Sequence, residues 1–309
     1  MRRFRIISAF LAAFFVLGIT GCEALRKRPS DGDGYWFDFG GNKNRGDNSY
    51  GYGYRDDYGN SDHSNGSTGE FGKPDKTSEP EIIEDLGSVI IRGVEYPIAT
   101  TTVLDLREQG MTNEDLTDIA MLTRLTYLDL SHNQISDITP LENLDNLTYL
   151  NLGFNQISNI TPLQNLTDLE RLDLSYNYQI SDISPVRRFT NLTHLNLRDN
   201  QVDDITPVTK LTQLKELDLG DNLVSDITAI KELTSLTTLE LSSNPVSDIS
   251  AVSNMRDIKH IYLVMCNDVS DITPLLNFKN PDRIWLWGSG ISYEDEQRLK
   301  ERYPDCDIH

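Results

Sequence analysis

The sequence predicts an α/β-type solenoid, with one parallel β-sheet along one side and short 3₁₀ or irregular turns along the other. Three observations carry this. A phrase recurs along the second half of the chain, reading LTYLDLSHNQISDITPLENLDN from Leu125 and LTYLNLGFNQISNITPLQNLTD from Leu147, a period of 22 residues. Leucines two apart in each copy, such as Leu128 and Leu130, have the period of a strand with one buried face. An asparagine follows three residues later, at Asn133, Asn155, Asn177, Asn200, Asn222 and Asn244. The apolar residues of one copy cannot make a core alone. Copies must therefore stack, which lines their strands up into a parallel sheet.

Taken in order, the chain opens on Arg2, Arg3 and Arg5, followed by an apolar run from Ile6 to Ile19. That run is too short to span a bilayer and reads as a signal peptide over residues 1–21. Residues Ile19-Thr20-Gly21-Cys22 resemble the lipobox of bacterial lipoproteins, which implies cleavage before Cys22 and acylation (palmitate among the chains) of its thiol. Residues 22–80 are a Gly/Asn/Asp/Tyr-rich tether, too poor in aliphatics to bury a core and so expected to be disordered. Its r.m.s. reach is about 40–45 Å. Asp31-Gly32-Asp33-Gly34 lacks the distal glutamate of a calcium loop. Residues 81–100 regain apolar character, and Arg92-Gly93 between two short apolar runs predicts a hairpin that caps the solenoid.

Residues 101–292 are the repeats. Further copies open at Leu169, Leu192, Leu214, Leu236 and Ile258, with degenerate copies at Thr101 and Pro281, giving nine strands. The asparagine amide donates and accepts at once, so it suits a chain that turns inward beside its neighbour. Ile135, Ile138, Leu141 and Leu144 fill the interior on the return path. Thr139-Pro140, Thr161-Pro162, Ser184-Pro185 and Thr206-Pro207 read as a cap followed by the first position of a short 3₁₀ turn. Residues 293–309 read as an amphipathic helix, stopped at Pro304, that closes the C-terminal end.

The motif N-Q-I-S-D-I-T-P-L and its variants, from about Thr101 to Ser292, resemble the 22-residue leucine-rich repeats of bacterial internalins. The resemblance implies a right-handed, curved solenoid whose concave sheet binds another protein. Departures are visible. The copies from Leu169 and Ile258 carry one extra residue near Tyr178 and Asp268, Ala229 and Ala251 replace proline, and Cys266 takes the asparagine position. The all-helical cap, immunoglobulin-like domain and sortase-type anchor associated with that family are not found in this sequence.

The formal charge of −20 becomes −23 without the three signal arginines. Such acidity argues against nucleic acid, whose binding needs clustered Lys and Arg, and leaves the lipid as the only membrane attachment. No spacing of His or Cys suggests a metal site, and no cofactor motif appears. Whether Cys266 and Cys306 pair is left open, with a buried thiol at Cys266 preferred. His194 and His260 share a repeat position three coils apart, roughly 14 Å, too far to share a proton. No catalytic grouping is found, and the protein is read as a non-enzyme.

Function is expected on the concave face, where residues flanking the strand leucines point outward. The partner-binding candidates are Tyr127, Tyr149, Phe154, Arg171, Tyr176, His194, Asp218, Tyr262, Trp285 and Trp287. Exposed aromatics anchor interfaces. The acidic middle positions read either as a repeat preference or as a stripe selecting a basic partner. The expectation is a monomeric, lipid-anchored, extracytoplasmic protein of the cell or outer membrane that binds a protein partner. A structural spacer of the cell envelope and a glycan-binding surface protein are the alternatives.

Overall fold

The computed structural model describes residues 87–309. The signal peptide, Cys22, the tether and residues 81–86 lie outside the described residues. Among those described, no helix is long and apolar enough to cross a membrane.

The repeats form a solenoid with one strand per coil. The strands are β3 Val103–Asp105, β4 Tyr127–Asp129, β5 Tyr149–Asn151, β6 Arg171–Asp173, β7 His194–Asn196, β8 Glu216–Asp218, β9 Thr238–Glu240, β10 His260–Tyr262, β11 Arg283–Trp285 and β12 Asp307–Ile308. They make one 10-stranded sheet in sequence order. Pairing is parallel and in register, with Leu128 beside Leu104 and Leu150 and every later strand leucine or isoleucine aligned likewise. The repeats predict nine strands, one fewer than the sheet contains. The tenth, β12, is two residues long, too short for any periodicity to reveal, and it covers the edge that β11 would otherwise expose.

An asparagine ladder holds the coils together. In each of six coils the side-chain amide donates to three carbonyls. For Asn155 these are Leu130 O at 2.9 Å, Leu152 O at 3.1 Å and Gly153 O at 3.2 Å. Its Oδ1 accepts from Ile135 N at 3.0 Å. Asn133, Asn177, Asn200, Asn222 and Asn244 repeat the pattern. One side chain thus satisfies backbone groups that the inward bend removes from the sheet, both in its own coil and in the preceding one.

On the opposite side the return path is built of 3₁₀ turns, such as Thr139–Asn143, Thr161–Asn165 and Ser184–Arg188. The cap of each turn differs from the one that the sequence predicts. Threonine or serine is the first residue inside the turn, not its cap. The acceptor is the residue two positions earlier: Asp137 Oδ1 takes the Thr139 N–H at 2.9 Å, and Asn159, Asp182, Asp204, Asp226, Asp248 and Asp271 do the same in their coils. The physical reason is reach: the isoleucine between must point into the core, so the carboxylate before it spans the gap as an Asx turn. These hydrogen bonds hold the Asp137, Asp182, Asp226 and Asp271 carboxyls below their ordinary value.

The interior is a continuous column of buried Leu, Ile and Val. At the N-terminal end β1 (Ser88–Ile91) and β2 (Val94–Pro97) pair antiparallel. Arg92 and Gly93, with φ of 51° and 82°, make the tight turn. Val89 and Ile91 face inward toward the short helix α1 (Leu116–Ile119). At the other end Ser292 caps helix α2 (Tyr293–Arg302) by accepting the Asp295 N–H at 3.1 Å. Leu299 is buried, and the Tyr303 hydroxyl reaches the Leu275 and Phe278 carbonyls at 2.8 and 3.0 Å.

Candidate functional site: the outer face of the sheet

Because the strands are in register, outward side chains form straight columns running from coil to coil. The first column runs Val103, Tyr127, Tyr149, Arg171, His194, Glu216, Thr238, His260, Arg283. Tyr127 lies flat on Tyr149, with ring centroids 4.3 Å apart and planes 8° from parallel. That separation is close to the strand spacing, so stacking is what the sheet geometry favours between successive flat rings. The stack covers Tyr149, which is only 8% exposed. Arg171 is half-buried beside it, and His194 Nδ1 sits 2.7 Å from Thr193 Oγ1 with Nε2 facing Glu216 at 3.6 Å.

The second column is the acidic one. Each of its side chains from β4 to β9 accepts the backbone N–H two residues on: Ser131 onto Asp129, Gly153 onto Asn151, Ser175 onto Asp173, Arg198 onto Asn196, Gly220 onto Asp218 and Ser242 onto Glu240. The Asp/Asn preference of the repeat therefore has a structural cause. Asp129, Asp218 and Glu240 are buried despite facing the open side. Burial pushes the Asp173 carboxyl up to about 6, and it raises those of Asp129, Asp218 and Glu240 as well. Asp218, a candidate from sequence, is thus covered rather than presented to solvent.

What covers it is Arg198. Its guanidinium folds back over Gly220, occupying the space that a Cβ there would need. It faces Asp199 at 3.7 Å, Asp218 at 4.0 Å and Glu240 at 3.8 Å, and it donates to Asp221. Arg198 is not among the partner-binding candidates that the sequence names. Its role as the hub of four carboxylates was invisible because it depends on a glycine one coil away.

A further column lies just past the strands, in left-handed backbone. Glu108, His132, Phe154, Tyr176, Asp199, Asp221, Ser243 and Met265 all have φ between 53° and 60°, and Gly288 completes the series at 72°. Left-handed backbone costs a residue with a side chain about 1 kcal/mol or more; here the asparagine ladder that follows fixes the bend. His132, Phe154 and Tyr176 stack successively, at 4.0 and 4.1 Å. Tyr178, the extra residue of its coil, meets Tyr176 edge-on at 6.2 Å. The sequence places Phe154 and Tyr176 on this face, and His132 is not among the candidates it names. Its membership in the stack could have been read from its identical repeat position.

The C-terminal aromatics divide. Trp285 is held by Asp307, which accepts its Nε1–H at 3.2 Å, by Arg283 over the ring at 5.6 Å, and by edge contacts with Tyr262 and His309. Trp287 is 69% exposed, beside an exposed Met265. Cys266 and Cys306 are both free thiols. Among the described residues no group of three or more His, Cys, Asp or Glu side chains is arranged to hold a metal.

Leucine Rich repeats (2 copies) match at residues 145–188 and 190–232, and a single Leucine Rich repeat matches at 122–138 and 232–253. No curated protein matches the chain. Among solved structures, internalin C2 from Listeria monocytogenes is 35% identical, with a TM-score of 0.56 over 59% of this chain and 79% of that one. Another internalin of the same organism, inlF, is 26% identical over 62% of this chain and 75% of its own, with a TM-score of 0.38. A TDR receptor, 22% identical with a TM-score of 0.54 over 62% of this chain and 36% of its own, shares the fold alone. With its 22-residue coils, asparagine ladder and parallel sheet, the chain belongs to the internalin-like leucine-rich-repeat proteins.

Proposed function

We propose that this chain is a lipid-anchored, extracytoplasmic binding protein that engages a protein partner through the outer face of its sheet. The observation that carries the reading is the pair of neighbouring aromatic stacks, Tyr127–Tyr149 and His132–Phe154–Tyr176. Stacked rings are held rigid before any partner arrives. They therefore lose little side-chain entropy on binding, the property that makes aromatics frequent interface anchors. Lipobox-like residues ending at Cys22 support attachment to a membrane through acyl chains, with residues 22–80 as a tether that sets the solenoid away from it.

Two experiments test the reading. Cross-linking in intact cells captures the partner, and its affinity is then measured for the triple variant Tyr127→Ala, Tyr149→Ala, Tyr176→Ala; an unchanged affinity disposes of this face. Cys22→Ala should release the protein from the membrane fraction, and continued membrane association removes the anchor. Exposed Trp287 favours glycan binding as a second reading. It is tested by whether envelope glycans change the fluorescence of the protein and whether Trp287→Phe abolishes that change.

A further inference from the structure

The left-handed column changes character halfway along. His132, Phe154 and Tyr176 form a stacked ridge, and the next two members are Asp199 and Asp221. Resting on the reading that this face binds protein, we propose that its occupant is an extended segment carrying apolar side chains at alternate positions followed by an arginine or lysine. The apolar residues would lie across the ring ridge and the cation against Asp199 and Asp221.

Ring geometry supports the first half. Stacking turns the faces of Phe154 toward its neighbours, at 4.0 and 4.1 Å, so the ridge offers partners ring edges. Edges carry the positive rim of the aromatic quadrupole, which suits aliphatic or aromatic groups and not a cation. The cation is drawn one step further along, for a reason of charge. Four carboxylates, Asp199, Asp218, Asp221 and Glu240, surround the single guanidinium of Arg198. Asp218 and Glu240 are buried beneath it, whereas the Asp199 and Asp221 side chains keep 29% and 34% of their surface open. One guanidinium cannot balance four carboxylates, and the uncompensated charge meets solvent at Asp199 and on the open side of Asp221, to which Arg198 donates. Arg198 also shows, within this chain, that the face accommodates a guanidinium.

Spacing fixes the pattern. From Phe154, the centre of the ridge, to the midpoint of Asp199 and Asp221 is two and a half coils, about 12 Å at the strand spacing. An extended chain covers that in about four residues, which also brings the side chain back to the same face. The segment should therefore read apolar–x–apolar–x–basic, with the basic residue four positions after the first apolar one.

Selection of a random-peptide phage library against the full chain tests this. Enriched sequences are expected to carry the pattern. Their affinity should fall by about tenfold or more for Asp199→Asn/Asp221→Asn, the size expected when a charge pair on an interface is broken. Asparagine tolerates left-handed backbone, so this variant keeps the fold. The charge-matched control Asp203→Asn/Glu232→Gln, off this face, should stay within about twofold. Enrichment without basic residues, no enrichment at all, or equal loss in both double variants overturns the proposal. Peptides that are weakened by Tyr127→Ala/Tyr149→Ala/Tyr176→Ala but not by Asp199→Asn/Asp221→Asn overturn it while leaving the sheet-face reading intact; peptides weakened by neither remove both.

Discussion

Phe189 fills the interior of the coil in which Tyr178 is the inserted residue. At the equivalent interior position the 22-residue coils have Leu144, Leu166, Leu211, Leu233 and Met255, whereas the two coils one residue longer have Phe189 and Phe278. Both phenylalanines are fully buried. A longer perimeter encloses more volume, and a close-packed interior requires a larger side chain to fill it. Phe189→Leu should therefore leave a cavity and cost about 1–2 kcal/mol. In a chain that also lacks Tyr178 the same substitution should cost less, because the shortened coil no longer needs the ring. Urea melts of the four chains in this cycle read the coupling directly, and strict additivity would show that insertion and ring are unrelated.

Cys266 occupies the seventh rung of the asparagine ladder. Its Sγ donates to Leu241 O at 3.2 Å, the carbonyl that an asparagine would take, but the thiol offers no oxygen to the Val246 N–H. One coil earlier, Val224 N–H finds Asn244 Oδ1 at 2.9 Å. Asn177 shows that a coil with an extra residue accommodates the full set of bonds. Cys266→Asn is thus expected to stabilise the solenoid by about 1 kcal/mol, raising Tm by a few degrees. The reverse change, Asn177→Ala, strips partners from buried carbonyls and from Ile157 N–H and should cost about 2–4 kcal/mol. Calorimetry on both variants decides, and a lower Tm for Cys266→Asn would mean that the thiol is there for its size.

How much of this was legible in the sequence depends on which residue is asked. Leu128, Leu130 and Asn133 announce the solenoid because a repeated error would have to be made in every coil. Asp307 and Ile308 announce nothing, since two residues have no period, and the tenth strand follows only from what they pair with. The aspartate of each D-I-T-P was visible, but threonine is an equally good cap in isolation; only the buried isoleucine between them settles which oxygen reaches. On the outer face, parity located Tyr127 and Tyr149, because alternation holds within a strand. It lost track at His132 and Arg198. The first lies where the backbone turns left-handed and alternation stops, so only the repeat position that it shares with Phe154 and Tyr176 places it. The second folds over Gly220 into the neighbouring coil, a contact that no single repeat contains.

Acidity is the last consequence, and its sign is opposite to common experience. Burial pushes the Asp173 carboxyl up to about 6, and burial with the nearby Asp221 pushes Asp199 up to about 6, against an ordinary value of 3.8. Asp129, Asp218 and Glu240 move in the same direction, each chiefly from burial. Between these values the folded chain holds protons that the unfolded chain has released, so stability falls as pH rises through the window and grows on mild acidification. Relief of self-repulsion in a chain of formal charge −20 acts the same way. Below that window the turn-capping carboxyls of Asp137, Asp182, Asp226 and Asp271, held low by their hydrogen bonds, take over. Their contribution is lost as pH falls through their folded values. Urea midpoints should therefore rise by the equivalent of about 1–2 kcal/mol between neutral pH and about pH 5, then drop in stronger acid. Asp173→Asn should flatten part of the rise, because its amide keeps the contact with Ser175 and does not titrate; a midpoint that falls steadily from neutral pH, in both proteins, would refute the buried carboxylates as its cause.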